Sequence, residues 1–240
     1  MMEGLILRFD APLMSFGGVK IDQHNVTDRF PGLSLMAGLI ANAMGWGHAD
    51  MDKIQHLQDR LLLASRWDIE PKLVVDYQTV DLGQPKMMEK GWTTRGTPEH
   101  RDGGTAKSGT HQRYRHYLAN GLLMSVIALR DANFPDIDAV EKALAQPARP
   151  LFIGRKTCLP SSRILAGRIR GENVLEMLES IPRAHRSGVA AEAAMAARWP
   201  AGLTVERPEQ VRQVFDMRDW RSQLHAGSRS VTEGLIKEAP

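Results

Sequence analysis

The sequence predicts an α+β fold on the β-α-β-β-α-β plan of ferredoxin-like and RNA-recognition-motif-like domains, extended by a long β-hairpin arm. Three observations predict it. Apolar runs of strand length alternate with segments whose apolar residues have helical spacing. A glycine-rich insertion separates two of the predicted strands. The 240 residues are 42% hydrophobic and 25% charged, a composition typical of a globular protein with a sizeable core.

The first half of the plan follows from apolar periodicity. Leu39 and Ile40 lie on the apolar face of the first predicted helix, and Gly45 follows it as a stop signal. Pro71 separates two strands that follow the second helix. The elements predicted, in order, are a strand at 4–9, helices at 33–44 and 51–64, and strands at 66–69 and 73–80.

The second half repeats the pattern and then weakens. The predicted elements are a strand at 122–129, a helix from Pro135-Asp136 to Pro147, a strand at 151–153 and a short helix at 174–178. The Ala-rich segment 187–198 is predicted as either a helix or a mobile loop, and strands at 203–205 and 211–215 are predicted to pair. We therefore expect an RNA-recognition-like domain at 1–170 and a small β-rich C-terminal module at 171–240, with a loose tail from residue 227.

The insertion at 82–109 contains six glycines and few residues able to form a core. A segment of this length without regular structure in a compact domain is usually functional or disordered. Because it connects two predicted strands, we interpret it as a protruding hairpin. Trp92 lies in this arm and is predicted to stack on a base or to contact a neighbouring protein.

Composition excludes several classes of protein. Cys158 is the single cysteine, so we expect no internal disulfide and no cysteine-built metal site. The eight histidines show no paired ligand spacing, and we expect neither a metal nor another cofactor. No apolar run reaches the length of a membrane span, and no secretory signal is evident, which predicts a cytoplasmic protein without a membrane partner.

Positive charge is concentrated in two blocks, although the net charge is only +3. Residues 86–118 hold seven Lys or Arg against three Asp or Glu, and residues 151–170 hold five Lys or Arg and no acid. This clustering predicts an anionic partner that is bound at defined places. The alternative is a solvated, charged arm and turn.

The candidate nucleic-acid-binding residues lie in these blocks. Guanidinium and ammonium groups pair with phosphates, and Tyr and His rings accept unstacked bases. The candidates from the first block are Lys107, His111, Arg113, Tyr114 and Arg115. Those from the second block are Arg155, Lys156 and Arg163.

Two catalytic interpretations arise from the same residues. Residues 104–108 do not form a phosphate loop, because Ala106 precedes Lys107 where that motif needs glycine. Metal-free RNA cleavage needs a general base near a 2′-hydroxyl and a cation near the phosphate. His111 with Lys107 or Tyr114 has these chemical types, although such histidines more often stack or bind phosphate.

An ordered set of short motifs resembles the CasD family, the crRNA-binding subunit of the subtype I-E CRISPR surveillance complex, Cascade, an antiviral ribonucleoprotein. The matches cover about the first 170 residues, with little beyond except Arg218-Asp219-Trp220. They are Leu5-Ile6-Leu7-Arg8 with Pro12 and Gly17, Arg29-Phe30-Pro31, Asp76-Tyr77-Gln78-Thr79-Val80, Tyr114-Arg115-His116-Tyr117-Leu118, and the segment from Pro150 to Pro160 that contains Gly154-Arg155-Lys156.

The resemblance implies a RAMP-type domain whose arm, at about 82–112, is a thumb folding over the guide RNA. It implies that the subunit holds the crRNA 5′ handle beside the Cascade backbone subunit and the PAM-reading large subunit, with target DNA nearby. Arg115 falls on the thumb-base arginine, and Arg155 and Lys156 fall on the glycine-flanked basic pair. Ser34 and Arg29 complete the predicted RNA-binding set, while Gly32 stands where the family has a polar residue.

Three functions stay open at this stage. The first is a non-catalytic crRNA-binding subunit. The second is a metal-independent endoribonuclease that processes pre-crRNA, as the corresponding subunit of the related I-C systems does, with His111 at its centre. The third is a protein-only scaffold.

Overall fold

A computed structural model describes residues 1–18, 22–81, 91–92, 98–99, 110–188, 194–203 and 210–237. The predicted α+β class is confirmed: four α-helices in the described residues accompany mostly antiparallel sheets. No helix in these ranges is both long enough and apolar enough to cross a membrane.

The elements of the first 119 residues include two strands of the central sheet, β1 and β4, and the base of the arm. The helices are α1 (Leu33–Ala43) and α2 (Met51–Arg60). The strands are β1 (Met2–Asp10), β2 (Leu13–Met14), β3 (His24–Asn25), β4 (Leu61–Ile69), β5 (Lys72–Asp81), β6 (Gly91–Trp92), β7 (Pro98–Glu99) and β8 (Thr110–Ala119).

The remaining elements complete the central sheet. The helices are α3 (Ile137–Ala145) and α4 (Val174–Ser180). The strands are β9 (Leu122–Leu129), β10 (Leu165–Gly171), β11 (Met195–Pro200), β12 (Gln210–Val214), β13 (Arg218–Asp219), β14 (Leu224–His225) and β15 (Arg229–Ile236).

The central sheet has seven antiparallel strands in the order β10-β1-β9-β4-β11-β15-β12. Its first four strands, with α1 and α2 after β1 and α3 after β9, are consistent with the predicted β-α-β-β-α-β plan. A second sheet is centred on β8, which pairs with β2 and β3 on one side and with β5 on the other.

Both faces of the central sheet are buried, which explains why β9 is apolar at every position except Ser125. Leu123 and Ile127 join the core cluster that contains the apolar residues of α1, α2 and α3. Met124 and Val126 point the opposite way, into a second cluster with α4. Helices therefore pack on both faces of the central sheet. The β8 sheet lies at one end of this packed sheet.

One predicted boundary and one predicted strand are wrong. Residues 61–64 begin β4 instead of ending α2, because they pair with 126–129 of β9, and a fully apolar run does not distinguish helix from strand. Residues 151–153 form a loop: the Ile153 N–H donates to the Cys158 carbonyl, and its own carbonyl accepts from the Ser15 N–H. The fourth strand of the plan is β10.

The C-terminal segment is more ordered than its sequence predicted. Met195–Pro200 is a strand, contrary to the helix or loop expected there, and Arg229–Ile236 is a strand instead of a loose tail. β12 pairs with β15, while residues 204–205 of its predicted partner lie outside the described ranges. β11 pairs with β4, so these strands extend the sheet of the first 170 residues. The division at residue 170 stays a prediction.

The base of the predicted arm is a regular antiparallel ladder. β5 and β8 pair at ten positions, from Lys72 opposite Ala119 to Asp81 opposite Thr110. Further along, β6 pairs with β7. The other arm residues, 82–90, 93–97 and 100–109, lie outside the described ranges, and the side chain of Trp92 is likewise not described.

Candidate nucleic-acid interface

Side-chain alternation gives β8 two chemically different faces. Successive residues of a strand point to opposite sides. Arg113 and Arg115 therefore lie on one side, with His111 and Tyr117, and Tyr114 and His116 lie on the other. The basic and aromatic residues that are mixed in the sequence are thus separated in space.

The first side is a cationic face, defined here by His111, Arg113 and Arg115. The side chains of Arg113 and Arg115 are partly exposed, and neither makes a hydrogen bond or ion pair with any described residue. Asp76 lies opposite Arg115 in the ladder, but its carboxylate accepts a hydrogen bond from Gln78 Nε2 at 2.6 Å. Both guanidinium groups are therefore unpaired within the described residues.

The second side carries a column of stacked rings. The Tyr114 ring lies 4.7 Å from the His24 ring of β3 and 4.9 Å from the Tyr77 ring of β5, measured between centroids. Because β3 and β5 flank β8 on opposite sides, both faces of Tyr114 are covered. Tyr77, which is 52% exposed on the outer strand, offers the face on which a base can extend the column.

This geometry separates the residues of the nuclease hypothesis. His111 and Tyr114 are three positions apart on one strand, so their side chains point to opposite faces and do not converge on one phosphate. Lys107 lies outside the described residues.

Arg155 occupies an internal position next to the cationic face. Its guanidinium donates to the His116 carbonyl at 3.1 Å and to the Asn25 carbonyl at 2.8 Å, and lies 4.6 Å from the centre of the Tyr117 ring. These contacts tie the 152–156 loop to β8 and β3. Binding of phosphate by Arg155 stays a prediction, and the geometry gives this residue a positioning role as well.

The rest of the second basic block divides into free and paired cations. Lys156 and Arg163 are exposed and have no polar partner among the described residues. Arg168 and Arg170, by contrast, form ion pairs with Glu3, and Arg168 also pairs with Asp138 and Glu141. The acid-free run in the sequence is therefore partly neutralised by residues distant in the chain.

A cleft of about 400 Å³, here called the α1 cleft, opens between the Ser15–Gly17 loop, α1, the 152–155 loop and Arg218. Its lining includes Arg155 and Arg218 and no acidic residue. Arg155 therefore lines the cleft and also contacts Tyr117 of β8. The sequence motifs included Gly17 and Gly154 but did not predict that both line one cleft.

Asp216 caps α1 from the C-terminal segment, a contact that sequence reasoning missed. Its carbonyl accepts from the Ser34 N–H at 3.0 Å, and its carboxylate lies 3.4 Å from the Leu33 N–H. Arg229 binds the same carboxylate at 2.8 and 2.6 Å. The only sequence signal was the nearby match at Arg218-Asp219-Trp220.

The two remaining predicted RNA-binding residues are Ser34 and Arg29. Ser34 lines the α1 cleft and also a second cleft of about 270 Å³, which Asp28 and Asp216 line as well. Arg29 is exposed and forms an ion pair with Glu70 at 2.7 Å. Contact of either residue with RNA stays a prediction.

Burial sets the protonation behaviour of two groups near the interface. It raises the pKa of the Asp28 carboxyl, an effect that the Arg198 guanidinium opposes. It also raises the pKa of the Cys158 thiol, which keeps the buried sulfur protonated and unreactive. Within the described ranges, no group of three or more His, Cys, Asp or Glu is placed to hold a metal ion.

Gly154→Ala is expected to disrupt the floor of the cleft. Gly154 has a φ of +88°, and a Cβ there would lie 1.5 Å from the Ser15 carbonyl oxygen, so the 152–155 loop has to move. Gly202→Ala is the matched control, because Gly202 has a φ of +87° and no atom within 4 Å of the point that a Cβ would occupy. Backbone strain alone costs about 1–3 kcal/mol in both variants. Urea unfolding should show a clearly larger loss for Gly154→Ala, and equal losses would contradict the close contact.

Comparison with known proteins identifies the family. The sequence model described as CRISPR-associated protein (Cas_Cas5) matches residues 4–232. The chain belongs to this family. The resemblance found in the short motifs is thereby confirmed, and it extends beyond residue 170 into the C-terminal strands.

Individual relatives agree with this assignment. The CRISPR system Cascade subunit CasD of Escherichia coli (strain K12) is 27% identical over 158 residues, which are 66% of this chain and 67% of CasD. A chain from a structure described as a CRISPR RNA-guided surveillance complex aligns with a TM-score of 0.69 at 23% identity, over 98% of this chain and 90% of that one. A structure described as a Cas protein aligns with a TM-score of 0.66 at 20% identity, over 98% and 95%. These two structures show that the fold is shared.

Proposed function

We propose that the chain is the subunit of a CRISPR RNA-guided surveillance complex that holds the 5′ handle of the crRNA. The observation that carries the proposal is that Arg155, which lines the α1 cleft, contacts Tyr117 on the same side of β8 as Arg113 and Arg115. The family match and the likeness to CasD of Cascade support the same role. Neighbouring subunits would be the backbone subunit and the PAM-reading large subunit.

The cationic face suits a single RNA strand. Arg113 and Arg115 are two residues apart on one side of a strand, so their Cα atoms are about 6.6 Å apart. That distance is close to the separation of successive phosphates in an extended single strand. Lys156 and Arg163, which are exposed and unpaired among the described residues, add charge on the loop that Arg155 ties to β8.

We further propose that the subunit binds crRNA without cleaving it. General acid–base cleavage needs the base and the stabilising group within hydrogen-bond reach of one phosphodiester. His111 and Tyr114 lie on opposite faces of β8. This separation favours binding over the endoribonuclease alternative.

Labelled repeat RNA mixed with the purified protein in EDTA tests both parts of the proposal. If Arg113, Arg115, Lys156 and Arg163 each neutralise one phosphate, the slope of log affinity against log salt is about −2.8. Raising the salt from about 50 to about 200 mM should then weaken binding by about 50-fold. A denaturing gel of the same samples should show intact RNA.

The other outcomes each select an alternative. Cleavage at one position in EDTA would identify a metal-independent endoribonuclease, and His111→Ala would then be expected to abolish it. Wild-type protein that enters the complex but gives no salt-dependent contact with the RNA would identify a protein-only scaffold.

A further inference from the structure

β5 is a long edge strand whose outer side no described strand covers. It pairs with β8 along its other side only. In an antiparallel ladder every second residue directs its N–H and C=O groups away from the partner strand. None of these outward groups makes a backbone hydrogen bond to another described element. The ten residues of β5 therefore present a row of main-chain donors and acceptors that are unpaired within the described structure.

The edge strands of the central sheet are protected against pairing, whereas β5 is not. Natural proteins protect sheet edges with charged side chains, irregular register or short strands. β10 carries Arg168 and Arg170, and its register against β1 shifts between Ile6 and Leu7. β12 has only five residues. β5 is longer, pairs with β8 without a register shift and contains no glycine or proline, so it is suited to adding another strand.

The side chains of β5 make one side of this edge apolar. Leu73, Val75 and Tyr77 point to the side opposite the cationic face and are 62%, 46% and 52% exposed. The column of stacked rings from His24 through Tyr114 to Tyr77 runs across the strands and ends at the outer edge of β5. A side chain on an added strand would cover the open face of the Tyr77 ring. Contiguous exposed apolar side chains often mark protein interaction sites.

Charge at the edge favours a protein segment over a nucleic-acid strand. Asp76 lies on the side of the cationic face, nearer the edge than Arg115, and has no ion pair with a described residue. Its carboxylate would repel a phosphate outside β5 and attract a Lys or Arg side chain of an added strand. On the apolar side, positions 73, 75, 77 and 79 carry no charge, so the phosphate of a base stacked on Tyr77 would find no cation on β5.

The length of the edge indicates which protein binds there. A stable interface uses about 20–30 residues from each partner, so β5 alone would not hold a free second copy of this chain. Strand addition at so short an edge fits a partner that other contacts in the same complex already hold nearby, because the effective concentration of that partner is high. A neighbouring subunit meets this condition.

We propose that the outer edge of β5 accepts an extended segment of a neighbouring subunit as an added β-strand. Its main chain continues the β8 sheet, its apolar side chains lie beside Leu73, Val75 and Tyr77, and a cationic side chain pairs with Asp76. The proposal rests on the proposed function, because the neighbouring subunits are those of the surveillance complex. It assigns β5 to protein and the cationic face of β8 to RNA.

Amide hydrogen exchange of the full chain tests the added strand. Peptides covering residues 72–80 are compared in the free chain, in the chain with handle RNA, and in the complex purified after co-expression of all subunits with crRNA. Exchange at the outward N–H groups should slow by at least about fivefold in the complex and stay unchanged with RNA alone, because only the complex supplies new backbone hydrogen bonds. Unchanged exchange in the complex, or slowing by RNA alone, would overturn the proposal.

Val75→Lys places a charge on the apolar side of the edge, as natural edge strands do to prevent pairing. Val211→Lys is the matched control, because Val211 is 66% exposed on β12, the edge strand of the central sheet. Each variant is co-expressed with wild type in competition for the complex. Val75→Lys should be under-represented by about fivefold, and Val211→Lys should match wild type. Equal incorporation of the two variants, or weaker binding of handle RNA by isolated Val75→Lys, would count against the added strand.

Asp76→Lys tests the predicted charge of the partner. It should enter the complex about fivefold less than wild type, although the isolated variant should bind handle RNA at least as tightly, because a carboxylate beside Arg115 has been replaced by a cation. Asp59→Lys is the matched control, since exposed Asp59 also accepts a hydrogen bond from a glutamine amide, Gln55 Nε2 at 2.9 Å. Equal incorporation of the two variants would overturn the pairing of Asp76 with a cationic side chain.

Failure of this proposal differs from failure of the proposed function. If the chain binds handle RNA and enters the complex, but exchange in β5 is unchanged there, the added strand is overturned and the proposed function stands. If the wild-type chain neither binds handle RNA nor enters the complex, both are overturned.

Discussion

Arg115→Ala is expected to weaken binding of handle RNA by about 10- to 100-fold, the effect of losing a charge-assisted hydrogen bond worth roughly 1.5–3 kcal/mol. The guanidinium is partly exposed on the cationic face and has no polar partner among the described residues. No hydrogen bond or ion pair with a described residue is lost with it, so the thermal midpoint should change little. Loss of one phosphate contact should also make the salt slope shallower by about 0.7.

Arg130→Ala is the matched control for this prediction. Arg130 is exposed and follows the far end of β9, whereas β8 meets the other end of that strand. Both variants remove one positive charge, so non-specific attraction to RNA falls equally. Filter binding at two salt concentrations should separate them, and equal affinities for the two variants would contradict a specific role for Arg115.

The sequence predicted elements of the fold well where local pattern and tertiary structure agree. β9 was predicted with its observed ends, because it is apolar on both faces and bounded by turn residues. α1 was predicted within one residue. The starts of β4 and β11 were missed because each is fixed by pairing with a distant strand: Leu61 with Leu129, and Met195 with Ile236.

The candidate site was likewise predicted only in part. The concentration of cations in β8 was visible in the sequence, and strand alternation then separates Arg113 and Arg115 from Tyr114. The internal contacts of Arg155 and the capping of α1 by Asp216 were not predictable, because they join segments far apart in the chain. The periodic pattern of apolar residues in a sequence does not reveal contacts between distant segments.

Arg66→Ala should produce the largest loss of stability, about 3–5 kcal/mol, because it removes one partner of a buried ion pair. Arg66 is 1% exposed, and its Nε donates to Asp68 Oδ1 at 2.8 Å. The same guanidinium donates to the carbonyls of Leu178 and Ile181, both at 2.7 Å, at the end of α4. The substitution removes the Arg66 cation from the Asp68 carboxylate, which keeps its hydrogen bond from the Ala184 N–H, and it leaves both carbonyls without this donor.

Arg221→Ala is the control, since Arg221 also pairs with an aspartate, but its side chain is 72% exposed and that of Asp52 is 70% exposed. Exposed pairs contribute about 0–1 kcal/mol. Urea unfolding should therefore show a large shift for Arg66→Ala and almost none for Arg221→Ala, and similar midpoints for the two would contradict the prediction. Because Leu178 and Ile181 lie beyond residue 170, a large shift would also mean that the first 170 residues depend on the segment that follows. A chain ending at residue 170 would then lose these carbonyls together with the β11 strand that pairs with β4.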